Sequence, residues 1–209
     1  MLESKDIHIL GYSGHAYVVI DTALSNNLVV KSYFNQSKTS SNPYNLAYSG
    51  NENEVDIKSI VKLDYIFPGV GSNRIIEKLV EFIEQNNLKQ TKLIATNASV
   101  SPFAKIEFST FIAPLAIVNS MAKIGKGCII NSGAVIEHEC KIGDFTHIAP
   151  RATLAGNVVV GKHVFIGANA VVKQGVIIGD NVIVGAGAVV INDIPSNETW
   201  VGNPARRKK

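Results

Sequence analysis

Cysteines, long apolar runs and a secretory leader are scarce or missing in this sequence. Its 209 residues include only two cysteines, Cys128 and Cys140, which are too few for a disulfide scaffold. No uninterrupted apolar run reaches the roughly 18 residues that span a bilayer. The opening stretch MLESKDIHIL has no basic region, long apolar core or small-residue cleavage site. We therefore expect a cytoplasmic protein without a membrane span.

Net positive charge is also missing from the body of the chain. The formal charge of +3 depends on the last four residues, Arg206, Arg207, Lys208 and Lys209. Without them, 16 basic residues stand against 17 acidic ones. A near-neutral body lacks the basic face of a nucleic-acid-binding protein, so no nucleic-acid partner is expected. The basic end is typical of a solvated terminus, although it could also contact a phosphate group.

What the sequence does contain is a six-residue repeat. An aliphatic residue recurs at every sixth position from Val100 to Val190, and a small or β-branched residue follows each one four positions later. A period of six matches neither an α-helix nor a simple alternating strand. It is typical of a parallel β-helix, with three hexads in each coil and about five coils in this chain. Cys128 and Cys140 occupy the small inward position and are predicted to be core residues.

The first half of the chain predicts a small α/β domain, because strands alternate with helices. We expect residues 1–97 to form a Rossmann-like α/β domain and residues 98–209 to form the all-β helix. The segment 35–54 is rich in Ser, Asn and Gly and is predicted as a loop. The predicted strands are 6–11, 29–34, 65–67 and 93–95, the last leading to the repeat, and the predicted helices are 15–27 and 73–85.

A glycine-rich turn, Gly11-Tyr12-Ser13-Gly14-His15, connects the first predicted strand to the first helix. Backbone N–H groups in such a turn favour a phosphate, although a tight turn alone would also need glycines. The turn does not match G-x-G-x-x-G. In addition, Asn35 and Gln36 follow the second strand, where a dinucleotide site has an acidic residue. NAD binding is therefore disfavoured.

The repeat is small and apolar except around Glu137-His138-Glu139. His138 is the third residue of its hexad and is predicted to face outward, where it can act as a general base. Glu139 can hydrogen-bond the other ring nitrogen and fix the tautomer. Gly156 is predicted to stack beside His138 on the next coil, leaving room for a thioester and offering an N–H to the acyl oxygen. The alternative is a surface histidine beside two surface acids.

A second histidine of the repeat, His147, lies half a coil beyond His138 and so on a different face of the prism. The two can approach each other only across a subunit boundary, so a site that uses both implies an oligomer. By itself, His147 is equally consistent with a structural surface histidine. A metal site would need three converging histidines, and the spacing of His138, His147 and His163 does not favour one. We predict no metal.

These features together resemble one known family. They are the hexad repeat, the turn at 11–15, the stretch Val135-Ile136-Glu137-His138-Glu139-Cys140 and the stretch Val201-Gly202-Asn203-Pro204-Ala205-Arg206. The chain is similar to the sugar O/N-acyltransferases typified by the sialic-acid and bacillosamine pathway acetyltransferases, the PglD- and NeuD-like enzymes. The resemblance covers nearly the whole chain. It implies a left-handed β-helix, a homotrimer, acetyl-CoA bound between neighbouring helices, and glycan biosynthesis.

The resemblance also implies roles for individual residues. His138 would be the catalytic base, polarised by Glu139, and the basic tail would meet a CoA phosphate. The chain departs from the family at Tyr12, which is bulkier than expected, and at Asn35-Gln36, which replace acidic residues of the bacillosamine-pathway members. The implied cofactor-binding residues are Asn131, His147, Gly156, Ala168 and Ala186. The implied nucleotide-sugar-binding residues are Ser13, Gly14, His15, Asn35, Gln36, Gly71 and Asn73.

The predicted function is acetyl-CoA-dependent N-acetylation of a nucleotide-linked amino sugar, with a UDP-4-amino-4,6-dideoxy sugar as the expected acceptor and His138 as the base. One alternative is O-acetylation of a sugar hydroxyl, such as that of a sialic acid. Another is a non-catalytic β-helix that serves assembly or binding. The second alternative predicts no affinity for CoA and no loss of function when His138 is changed.

Overall fold

The computed structural model describes residues 5–208, which begin with an α/β domain built on a five-stranded parallel sheet. The strand order is β3-β2-β1-β4-β5, so the order reverses between β1 and β4. In such sheets a ligand crevice lies beyond the carboxyl ends of the two strands at the reversal. The elements are β1 (Asp6–Leu10), α1 (Gly14–Ser25), β2 (Val29–Phe34), β3 (Ala47–Tyr48), α2 (Ile57–Val61), β4 (Tyr65–Pro68), α3 (Asn73–Gln85) and β5 (Lys89–Gln90).

The rest of the chain is a prism of two-residue parallel strands in which each strand from β6 to β21 pairs with the strand 18 residues away. Three sheets form its faces. The first face contains β6 (Leu93–Ile94), β9 (Phe111–Ile112), β12 (Ile129–Ile130), β15 (His147–Ile148), β18 (Phe165–Ile166), β21 (Ile183–Val184), β23 (Thr199–Val201) and β24 (Arg206–Arg207). The second contains β7 (Ser99–Val100), β10 (Ile117–Val118), β13 (Val135–Ile136), β16 (Thr153–Leu154), β19 (Val171–Val172) and β22 (Val189–Val190). The third contains β8 (Lys105–Ile106), β11 (Lys123–Ile124), β14 (Lys141–Ile142), β17 (Val159–Val160) and β20 (Ile177–Ile178).

The hexad pattern describes the interior of the prism correctly. From Ile112 to Val190 the aliphatic series is buried, and so are the small residues between them. Cys128 and Cys140 are free and buried in this core, as predicted, and burial raises the pKa of the Cys128 thiol to about 12. A thiol that stays protonated in an apolar interior has no nucleophilic role.

The α/β domain packs against the first face of the prism through a shared core. Phe111, Ile129 and Phe145 of the prism belong to the same buried cluster as Ile76 and Val80 of α3. This packing buries the outward residues Phe111, Ile129 and His147 of the first face, whereas Phe165 and Ile183 further along it are exposed, as are most outward positions on the other two faces. The domain interface therefore places the crevice of the α/β sheet directly over one face of the β-helix.

Several local predictions need correction. The predicted strand at 93–95 does not extend the α/β sheet, because Leu93–Ile94 pairs with Phe111–Ile112 in the prism. The edge strand of the α/β sheet is β5 instead, which pairs with β4. The predicted loop at 35–54 contains the short strand β3, and the helix α2 was not predicted. Within residues 5–208, no helix is long and apolar enough to cross a membrane.

Candidate active site

Two helices begin at the crevice where the strand order reverses. The turn after β1 leads to α1, whose N-cap is Ser13, and the turn after β4 leads to α3, whose N-cap is Ser72. Neither N-cap side chain makes a capping hydrogen bond, and neither helix has an acidic residue in its first turn. The turns approach closely, since a Cβ at Gly69 would lie 2.5 Å from the Gly11 carbonyl oxygen. Two open helix N-termini in one crevice favour an anion such as a diphosphate.

His15 lies in the first turn of α1 and faces the prism. The His15 ring meets the Phe111 ring edge-on, with a centroid separation of 5.5 Å. A Cβ added at Gly71 would lie 3.7 Å from the Cβ of His15. Burial lowers the pKa of His15 to about 4. His15 is therefore neutral near pH 7 and can offer one donor and one acceptor to a ligand in the crevice.

His147 lies on the first face beneath the α/β domain and is only 8% exposed. The Asn131 side-chain amide donates to His147 Nε2 at 3.0 Å, and its oxygen accepts from the Ser132 N–H at 2.8 Å, which fixes the amide orientation. The neutral ring therefore carries its proton on Nδ1. Burial lowers the pKa of His147 to about 4, with a further lowering from His15 and an opposing effect of the Gly71 backbone.

Asn73 joins the two domains at the same place. Its side-chain amide donates to the Val164 carbonyl at 3.0 Å, which ties the start of α3 to the first face. A cavity of about 330 Å³ opens beside this link. The resemblance to the family also implies that Ser72, in the Gly71-Ser72-Asn73 turn, helps to bind the nucleotide-sugar, whereas Arg74 was not predicted, although it stands at the start of a predicted helix. The cavity is lined by Gly71, Ser72, Asn73, Arg74, His163, Phe165, Asn181 and Ile183.

His138 lies at a different corner, where the chain turns from the second face to the third. Its side chain is 53% exposed, and its Nδ1 is 3.1 Å from Glu139 Oε2. That contact leaves Nε2 free to accept a proton. The predicted stacking with Gly156 is confirmed, because a Cβ at Gly156 would lie 2.5 Å from His138 Nε2 and Cε1. Within residues 5–208, the Gly156 N–H donates to no backbone carbonyl, so it is available to a ligand.

Ala168 and Ala186 lie at the corner between the first face and the second. This corner also includes Asn131, and it carries small residues from coil to coil: Ala113, Ala149, Gly167 and Gly185. A row of small side chains would let an extended, narrow ligand lie close to the backbone along the length of the prism. We call this row the small-residue groove.

Asn35 and Gln36 follow the carboxyl end of β2, next to the turn after β1, because the Gly11 N–H donates to the Phe34 carbonyl at 2.8 Å. The Asn35 amide donates to the Ser37 carbonyl at 3.1 Å, and its backbone carbonyl accepts from the Tyr48 hydroxyl at 3.1 Å. Tyr12 does not project into the crevice as a bulky obstacle. It is 5% exposed and stacks on Tyr33 with a centroid separation of 4.2 Å.

Among residues 5–208, no group of three or more His, Cys, Asp or Glu side chains could hold a metal ion. His163 is occupied elsewhere, because its Nε2 is 3.1 Å from Glu77 Oε1 and its ring stacks on Phe145. The basic tail forms a strand, because β24 pairs antiparallel with β23, and Arg207 forms an ion pair with Glu198 at 3.2 Å. Arg206 is exposed beside it.

The buried histidines predict an acid-sensitive fold. His15 and His147 have a folded-state pKa of about 4 against 6.5 in the unfolded chain, so the unfolded state binds more protons between these values. The free energy of unfolding should therefore fall as the pH drops from 6.5 towards 4, by on the order of 3 kcal/mol for each histidine. Urea denaturation from pH 7.5 to pH 4 measures this. His147→Gln should reduce the dependence and His138→Gln should not; equal stability at pH 7 and pH 4.5 would contradict the assignment.

Comparison with known proteins identifies the family. The model of the PglD N-terminal domain matches residues 6–83. The model of the bacterial transferase hexapeptide (six repeats) matches residues 121–156, 139–174 and 157–192. A comparison with curated protein sequences returned no match.

Solved structures match the chain over both domains. A mutant of perosamine N-acetyltransferase from Caulobacter crescentus, in complex with CoA and GDP-perosamine, is 30% identical with a TM-score of 0.92, and the match covers 98% of this chain and 97% of that one. The acetyltransferase domain of PglB from Neisseria gonorrhoeae is 30% identical, with a TM-score of 0.90 and coverage of 98% and 100%. WeeI from Acinetobacter baumannii is 25% identical, with a TM-score of 0.85 and coverage of 97% and 99%.

The hexapeptide-repeat prism and its N-terminal domain define an acyltransferase. The chain belongs to the PglD-like sugar acyltransferases of the hexapeptide-repeat class, whose cosubstrate is acetyl-CoA. The predicted family, the fold class with its left-handed β-helix, and the enzyme class are confirmed.

Proposed function

We propose that this enzyme transfers the acetyl group of acetyl-CoA to the amino group of a nucleotide-linked amino sugar, with a UDP-4-amino-4,6-dideoxy sugar as the expected acceptor. One observation carries the proposal. His138 is an exposed imidazole held by Glu139 at Nδ1, and its ring lies over Gly156, where any side chain would displace it. An oriented base beside a backbone N–H donor is what acyl transfer without an enzymic nucleophile needs.

The reaction needs few groups from the protein. The sugar amine attacks the thioester carbonyl carbon, and His138 Nε2 takes the proton that the amine nitrogen loses. The Gly156 N–H stabilises the oxyanion of the tetrahedral intermediate. Collapse breaks the C–S bond, and the proton on His138 passes to the departing CoA sulfur. Glu139 keeps the ring in the tautomer that leaves Nε2 unprotonated at the start.

The acceptor would bind in the crevice of the α/β domain. Its diphosphate would lie at the open N-termini of α1 and α3, near Ser13, Gly14 and Gly71, where backbone N–H groups point outward. The neutral rings of His15 and His147 would hydrogen-bond the sugar without adding charge. Asn35 and Gln36 at the end of β2 would contact the nucleotide base.

Completion of the site requires a second copy of the chain, which supports a homotrimer. His138 and Gly156 lie at one corner of the prism, while Asn131, Ala168 and Ala186 lie at another. Acetyl-CoA in the small-residue groove of one copy would meet His138 of its neighbour. The second face lies between these corners, and its outward residues are all uncharged, as expected of a buried face: Ser99, Ile117, Val135, Thr153, Val171 and Val189.

The proposal is tested by thiol release from acetyl-CoA with a panel of UDP- and GDP-linked sugars, each supplied as the 4-amino and as the matched 4-hydroxy compound. We expect turnover with an amino sugar and at least 100-fold less with its hydroxyl analogue, because a neutral amine is the better nucleophile. A GDP-linked acceptor belongs in the panel because GDP-perosamine is bound to a solved relative. Turnover with hydroxyl acceptors alone, or with none, would refute N-acetylation.

A further inference from the structure

The prism has one covered end and one open end. At its C-terminal end the β23–β24 hairpin follows the last coils, and Ile194 and Ala205 are 2% exposed. At the other end β6, β7 and β8 are the terminal strands of the three faces, and within residues 5–208 no strand pairs with their outer edges. Interior side chains there are only partly buried, notably Val100 and Ile106. The first coil therefore leaves apolar surface uncovered.

Exposed aromatic rings surround this uncovered coil. Phe103 and Phe108 are 69% and 57% exposed in the single chain, and they stand on either side of Lys105 in the sequence. Phe103 lies at the same corner of the prism as His138, but two coils away, at the end of the prism. Isolated exposed apolar residues are common, but two phenylalanines beside a partly exposed core form a patch that indicates a binding surface. We call the surface formed by Val100, Phe103, Lys105, Ile106 and Phe108 the open end.

Positive charge is concentrated next to the open end. Lys105, Lys123 and Lys141 occupy directly paired positions on the third face, and none of them forms an ion pair within residues 5–208. Like charges in directly opposed strand positions are destabilising. Lys92 lies at the same end, with its ammonium 3.4 Å from the Ile106 carbonyl, and Glu107 is the acidic residue in the groove that the three lysines line. An anionic partner would relieve this repulsion.

We propose that the open end binds the surface of an anionic phospholipid membrane. Phe103 and Phe108 would enter the boundary between headgroups and acyl chains, while the lysines would contact the headgroups. The unpaired backbone of β6, β7 and β8 needs hydration, which limits the contact to the interfacial region. A second copy stacked end to end is disfavoured, because the opposite end carries Arg206 and Arg207, and a free polyanion would leave the rings in water.

Cosedimentation of the full chain with vesicles tests the proposal. Vesicles of phosphatidylcholine with about 30% phosphatidylglycerol, whose negative surface potential attracts lysines, are compared with vesicles of pure phosphatidylcholine. We expect binding to the anionic vesicles, at least tenfold weaker for Phe103→Ser/Phe108→Ser and for Lys123→Gln/Lys141→Gln. Leu63→Ser is the matched control, because Leu63 is 80% exposed but belongs to the α/β domain, and its binding should equal wild type.

Each outcome bears on the proposal. Two independent variant pairs keep it testable if one fails to fold, and light scattering of every variant checks that its oligomeric state is unchanged. Absence of wild-type binding to anionic vesicles would overturn the proposal. So would vesicle binding that neither pair of substitutions weakens. Heparin binding that depends on Lys123 and Lys141, without any vesicle binding, would assign the surface to a soluble polyanion instead.

Discussion

The variant His138→Ala should lower kcat for acetyl transfer by about 10²–10⁴-fold, the usual contribution of a general base. The Nδ1 contact with Glu139 at 3.1 Å prepares Nε2 to accept a proton, and alanine removes both the base and its orientation. The side chain is 53% exposed and makes few packing contacts, so the melting temperature should stay close to that of the wild type. Steady-state thiol release with saturating substrates measures the loss.

Two further variants test whether His138 is the catalytic base or only a surface histidine. Glu139→Gln should lower kcat by roughly tenfold, since the ring keeps a hydrogen-bond partner but loses the stabilising charge. His163→Ala is the comparison for loss of a histidine outside the catalytic corner, because His163 lines the cavity at the start of α3 and its Nε2 contacts Glu77 across the domain interface. If His138→Ala kept wild-type kcat, the proposed base would be wrong, and the non-catalytic role considered from the sequence would gain support.

The hexad phase explains why the prism was predictable in detail. Because side chains occupy fixed positions in each hexad, the 18-residue coil predicts that Gly156 lies beside His138 and that His147 lies on another face, as observed. The β-helix begins one hexad earlier in the chain than predicted, at β6. Ile94 precedes Val100 by six residues, and its apolar neighbours Leu93 and Ala95 resemble an α/β strand equally well. Periodicity over one short segment cannot separate these interpretations.

The α/β domain was less predictable, because some of its elements depend on tertiary contacts. Strand β5 consists of Lys89 and Gln90, which carry no apolar pattern and are ordered by pairing with β4. Strand β3 is two residues long and lies inside a polar segment that otherwise reads as a loop. Elements this short have too little local propensity to be distinguished from turns.

In the candidate site, too, features that depend on tertiary contacts could not be predicted from the sequence. The sequence predicted which residues would form it, but not that Asn131 fixes the tautomer of His147 or that the α/β domain buries this ring. Both facts arise from how the two domains pack, which no local pattern encodes. The exposure of the Phe103 and Phe108 rings could not be predicted from the sequence either. The repeat constrains only inward positions and permits any residue at the turns.

Substitution of Gly156 provides the sharpest geometric test of the catalytic corner. A Cβ at this position would lie 2.5 Å from His138 Nε2 and Cε1, closer than non-bonded atoms can approach, so the imidazole must move in Gly156→Ala. A displacement of about 1 Å in a catalytic group can cost on the order of 100-fold in rate. The ring is exposed and can rotate into solvent, so kcat should fall by about that factor while thermal stability changes little.

A double-mutant cycle shows how Gly156 acts. If its only role is to leave space for His138, then adding Gly156→Ala to His138→Ala should cause no further loss of kcat. A further loss of about tenfold or more would indicate that the glycine also accommodates the thioester or its oxyanion. Asn157→Gly is the control within the same turn, because glycine adopts the left-handed conformation of residue 157 readily and adds no atom near the imidazole. Wild-type kcat in Gly156→Ala would mean that the productive position of His138 differs from the one described here.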